Sequence, residues 1–224
     1  FEHELPTTEL RARTNLSHLL WNDDPAAQLV NLRAAFEQAR RLGDRRWTVD
    51  LIGNLCNLLV VMGDLDGALA VVDSLDLEGL PPQEQVRVEM VRMMAQRYRD
   101  EPGPSRREVE RLGALAAASP DLQIHHHALV FRAVAAGLDG DHEAAFALSQ
   151  QAGAQSPPGS REWLGAAAEA AMWLRDAGRL AGVLAALEAD RPAGRIPAGW
   201  QTEFEAARDA LQGDTAAALA GFDK

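Results

Sequence analysis

Turn signals recur along this chain near residues 23, 63, 101, 140, 178 and 213, about every 35 to 40 residues. A period of that length holds two helices and their turns, and such a unit buries too little surface to stand alone. The clearest unit starts at Trp47. From Trp47 to Met62, the residues Leu51, Leu55, Leu58 and Leu59 fall on one side of an α-helix, and Ile52, Cys56 and Val60 add a second row. A helix apolar over so much of its girth has to be covered on more than one side. Gly63 stands where a helix ends in a left-handed turn, and the Asp64 side chain can cap the next helix. Leu65, Ala68, Leu69, Val72 and Leu75 continue the helical spacing until Pro81 and Pro82 stop it and restart the chain. The spacing predicts an antiparallel helical hairpin.

The same punctuation divides the rest of the chain. Helices over Thr8–Asn22 and Pro25–Leu42 form a first hairpin about Asp23 and Asp24, and a third follows from Pro82 around the breaker at 101–104. A fourth turns at Gly140-Asp141, where Gly140, Ala145, Ala152 and Pro157 repeat the spacing of Gly63, Ala68, Leu75 and Leu80. A fifth places helices over Arg161–Ala177 and Leu180–Ala189 with Gly178 as the break, and a sixth turns at Gly213-Asp214. The expected architecture is all-α, a right-handed α-solenoid of about six antiparallel hairpins over residues 1–224 without an internal domain boundary. The abundance of Ala, Leu, Arg and Glu and the scarcity of alternating segments agree with it. The chain starts with Phe and ends inside a helical pattern, so it reads as a piece of a longer polypeptide.

The second hairpin resembles a tetratricopeptide repeat through Cys56, Gly63, Leu65, Ala68 and Pro81, which stand at or within a residue of that family's small, glycine, apolar, alanine and proline positions. The family's aromatic positions hold Leu59 and Val72 here, so the copy is divergent. More broadly, RTNLSHLLWNDDPAAQLVNLRAAFEQARRLGDRRWTVDLIGNLCNLLVVMGDLDGALAVVD and GDTAAALAGFDK look like the C-terminal helical repeats of large bacterial signalling ATPases. In those proteins an ATPase module is joined to a nucleotide-cyclase or a helix-turn-helix domain. That resemblance implies a non-catalytic sensor or assembly arm in the cytoplasm, which binds a protein, a peptide or a small inducer and can oligomerise. The repeat resemblance puts Asp50, Asn57 and His127 at groove-facing positions.

Composition narrows the partners. Thirty-three acidic against 22 basic side chains leave a net charge of −11, which repels a phosphate backbone and argues against nucleic acid. One cysteine, Cys56, excludes an internal disulfide and fits a reducing compartment; its helical position predicts a small core residue. No apolar run is long enough to span a membrane.

Chemistry-bearing patterns are weak. His125, His126 and His127 suggest a metal site, but adjacent helical residues point about 100° apart and cannot converge on one ion. One of the three is expected to pack and the others to face solvent or a groove. Asp23 and Asp24 lack a third carboxylate at Ala27 and read as a cap. No phosphate loop and no G-x-S-x-G occur, and the only lysine is Lys224. The five tryptophans, at helical spacing, are expected in the core or between repeats. No catalytic residue, cofactor or metal is expected. An all-helical enzyme domain and a purely structural oligomerisation arm are the competing readings.

Overall fold

The computed structural model describes residues 4–20, 24–75, 80–99, 106–156, 161–190 and 195–222. Among these the chain is all helical, twelve helices with no strand. The contacts divide it into two compact units, Phe1–Pro102 and Gly103–Lys224. The first holds α1 (Glu4–Leu20), α2 (Pro25–Leu42), α3 (Arg45–Val61), α4 (Leu65–Asp73) and α5 (Pro82–Tyr98). The second holds α6 (Arg106–Ala117), α7 (Leu122–Leu138), α8 (His142–Ala154), α9 (Glu162–Trp173), α10 (Ala177–Ala189), α11 (Arg195–Leu211) and α12 (Thr215–Phe222).

One turn design recurs between neighbouring helices. In the Gly63-Asp64 turn, Gly63 takes φ +79°, the Asp64 N–H donates to the Leu59 carbonyl at 2.8 Å, and the Asp64 carboxylate accepts from the Gly67 N–H at 2.9 Å. The carbonyl of Asp64 also accepts the first helical bond of α4, from Ala68 at 3.0 Å. The aspartate thus closes one helix by the Schellman bond and opens the next as its N-cap. Gly43-Asp44, Gly140-Asp141 and Gly213-Asp214 repeat this arrangement with φ of +66°, +81° and +87° at the glycines. Asp24 caps α2 through the Ala27 N–H, with Pro25 in the first turn; the partner expected in that turn, Asp23, lies outside the described residues, as does the breaker at 101–104.

The fifth hairpin differs from the sequence expectation. Gly178 does not break the chain; it lies inside α10. The break is Arg175, the one non-glycine residue with positive φ (+54°) among the described residues, and Asp176 beside it caps α10 through the Arg179 N–H at 2.9 Å. The Asp176 N–H reaches back to Ala171 at 3.0 Å as its counterparts do. Turn position therefore follows the capping aspartate, and arginine occupies the glycine's place at a steric cost.

In the first unit α3 packs against α2, α4 and α5, so its girth is covered on several sides as its composition requires. Leu51, Ile52, Leu55, Leu58 and Leu59 are buried in one cluster with Leu32 of α2, Val72 of α4 and Val88 of α5. Small residues sit where α3 and α4 cross: Ala68 is fully buried, and the Cys56 sulfur lies 3.5 Å from its carbonyl oxygen. In the second unit α7, α9 and α11 pack in succession, with α8 against α7 and α9, and α10 against α9 and α11. Ala145 and Ala152 are buried there like Ala68. Gly153 of α8 lets the Trp163 ring approach; a Cβ on it would stand 2.9 Å from the indole. Trp47, Trp163 and Trp200 are half-buried against the two cores, whereas Trp173 is 66% exposed, contrary to the expected packing.

Two outcomes follow from these turns and crossings. Ala68→Leu should overpack the α3–α4 crossing and lower the unfolding free energy by about 1 to 3 kcal/mol in denaturant titrations; an unchanged midpoint would contradict the crossing. Arg175→Gly should relieve the left-handed backbone and, after the larger entropy of an unfolded glycine, raise stability by about 0.5 to 1 kcal/mol. A lower melting temperature for this variant would show that the Arg175 side chain contributes more than its backbone costs.

Candidate functional site

Burial leaves α3 one polar stripe. Asp50, Asn54 and Asn57, spaced four and three residues apart, lie half-buried on one line of a helix whose other middle positions are buried. Arg87 comes across from α5, and its Nη1 donates to Asp50 Oδ1 at 2.6 Å. Gly53 makes that reach possible, since a Cβ on it would stand 3.2 Å from Arg87 Cδ. One turn earlier on α5 is Glu84, whose carboxyl is pushed above the ordinary range, first by partial burial and then by the charge of Asp50. The guanidiniums of Arg87, Arg45 and Arg46 pull the other way. Among the described residues the side-chain amides of Asn54 and Asn57 have no hydrogen-bond partner, so each offers a donor and an acceptor outward.

The structure thus brings Asp50 and Asn57 onto one stripe and adds Asn54, Glu84 and Arg87, which the sequence reading did not single out. The spacing of Asp50, Asn54 and Asn57 within an apolar helix was a visible signal. The approach of Arg87 was not, because it depends on α5 packing over Gly53. His127 lies in the other unit, half-buried on α7, its ring tilted 56° to that of His126 at 5.7 Å. One and two turns further along α7 stand Phe131 and Val134, both buried, so the polar stripe of α3 is not repeated there.

The histidine triplet diverges. His126 is fully buried, while the half-buried His125 places Nε2 2.7 Å from the Ser119 carbonyl oxygen. Among the described residues no three His, Cys, Asp or Glu side chains gather closely enough to hold a metal ion. Cys56 is buried, and burial pushes its thiol up to about 12, which leaves almost no thiolate at neutral pH. No helix of the described residues is long and apolar enough to cross a membrane. Comparison of the chain with family models, curated proteins and solved structures gives no match.

The raised pKa of Glu84 has a consequence of definite sign. A carboxyl that holds its proton more tightly folded than unfolded weakens the fold above its folded pKa, and the penalty vanishes below the ordinary carboxylate range. Glu84→Gln should therefore stabilise the protein at pH 7, by less than about 1 kcal/mol because the site is partly solvated, and should be neutral at about pH 3.5. A variant less stable than wild type at pH 7 would contradict the assignment.

Proposed function

We propose that this chain is a non-catalytic binding module, a tetratricopeptide-like right-handed α-solenoid of about six hairpins, which holds a protein or peptide segment along the polar stripe of α3. The observation that carries the reading is the pair of unbonded amides, Asn54 and Asn57, beside the Asp50–Arg87 ion pair on a helix otherwise closed by packing. Asn54 and Asn57, three residues apart, are separated by about 4.5 Å along the helix axis. That distance falls within one to two residues of an extended peptide, which rises roughly 3.3 Å per residue. Each amide can donate to a carbonyl and accept from an N–H, so such a row recognises backbone with little demand on sequence.

The order of packing supports the reading. α3 packs on α5 in the first unit, and α7 on α9 on α11 in the second, which is how the first helices of successive hairpins meet in a stack. The resemblance to the repeats of bacterial signalling ATPases makes the bound segment an input, a partner protein or a small inducer sensed in the cytoplasm. The excess of acidic side chains favours a partner other than nucleic acid.

The test is selection of binders from a displayed random-peptide library against the whole chain, followed by fluorescence polarisation with the selected peptides. Replacing Asn54 and Asn57 together with Ala should weaken binding about tenfold, as for the loss of one to two hydrogen bonds, and leave the melting temperature within error. Peptides that bind the double variant as tightly as wild type, or a library that yields no binders, would overturn the assignment of the stripe.

A further inference from the structure

The Asp50–Arg87 ion pair sets a register that continues along both helices. α4 runs back between α3 and α5, so these two point the same way. Seven residues beyond Asp50 and Arg87 stand Asn57 and Met94, and eleven beyond them stand Val61 and Tyr98. Steps of seven and eleven are about two and three helical turns, so each residue keeps to the side of its helix that the ion pair occupies. Val88, Val91 and Ala95 of α5 share a buried cluster with Leu55 and Leu59 of α3, which keeps the helices in contact over that length. The last pair is open: Val61 is 48% and Tyr98 58% exposed, and Met94 is half-buried. The stripe thus passes from charges through amides to apolar side chains.

Charge distinguishes the other end. The chain carries −11 overall, yet around Glu84 the guanidiniums of Arg87, Arg45 and Arg46 act together with the single carboxylate of Asp50. Asp44, the remaining acid at the start of α3, is engaged as its N-cap, and the free N–H groups of that helix end offset its charge. Three cations therefore stand against the carboxylates of Asp50 and Glu84. This end is a small positive island on an acidic protein, and it is complementary to an acidic group on a partner.

With the α3 stripe as the binding site, the reading on which this one rests, we infer that the bound segment is bipolar. It lays a large apolar side chain, aromatic or branched aliphatic, against Val61, Met94 and Tyr98, and it sets an acidic side chain against Arg87 and Arg46. Its backbone lies between these ends, over Asn54 and Asn57. From Asp50 to Val61, eleven residues, α3 rises about 16.5 Å, which an extended chain covers in about five residues. The acidic residue lies toward the starts of α3 and α5 and the apolar one toward their ends. Contact there removes the open faces of Val61 and Tyr98 from water, and the Tyr98 ring accepts an aromatic partner edge-on or offset.

The test uses the whole chain and peptides selected from a displayed random library, with affinities from fluorescence polarisation. The selected sequences should carry a large apolar residue about five positions from an Asp or Glu. Val61→Ser should weaken their binding about tenfold, and a peptide whose apolar residue is replaced with Ala should bind wild type and Val61→Ser equally. Arg46→Glu places an acid where a helix start favours one, so the fold is kept. It should weaken binding about fivefold, and a Lys in place of the peptide's acid should restore binding to this variant. Binders weakened by the loss of Asn54 and Asn57 but indifferent to Val61→Ser and Arg46→Glu would overturn the bipolar occupant and leave the stripe standing. Binders indifferent to the loss of both amides, or a library without binders, would overturn the stripe and the occupant together.

Discussion

The structure depends on an aspartate that serves two helices at once. At Asp44, Asp64, Asp141, Asp176 and Asp214 the backbone N–H ends one helix, while the carboxylate and carbonyl start the next. Because both tasks fall on one residue, there is no slack between the helices, and the direction of the second is fixed by the first. The preceding residue must be left-handed for this to work, which accounts for glycine at four of these turns and for the backbone strain at Arg175.

Tight turns bring successive helices close, and close helices need small side chains where they cross. Ala68, Ala145, Ala152 and Gly153 meet that need. Their own transfer from water contributes little; their value is that larger neighbours such as Leu59 and Trp163 reach full contact across the crossing. The same economy of space makes the α3 stripe. Gly53 removes a side chain, Arg87 fills the gap, and the guanidinium arrives at Asp50.

Burial then separates polar groups that the sequence presents alike. Among three consecutive histidines, the middle one is enclosed by three helices and faces two acceptors, and its neighbours are half-open. Cys56 loses its nucleophilic character by enclosure alone. Asn54 and Asn57, which could have been satisfied by a neighbouring helix, are left with their hydrogen-bonding capacity unspent because the helices around α3 cover its other sides.

The sequence by itself determined the helices, their order and most of their turns, because apolar spacing, glycine and a capping oxygen act within a few residues of one another. It also made Cys56 a core residue, and it kept Asp50 and Asn57 on a polar stripe, since helical periodicity fixes which residues share a face. It misplaced the fifth turn because it gave glycine priority: Gly178 is a permissive residue, whereas Asp176 supplies the bonds that set the boundary. Trp173 was assigned to packing by its spacing, yet periodicity states only which side of a helix a residue occupies and not whether another helix covers that end. The tertiary structure alone decided that Arg87 would meet Asp50 and that His126 would stand between Ala152 and Glu162. Those contacts join residues one hairpin apart, and their distances depend on how the helices pack, which no local pattern encodes.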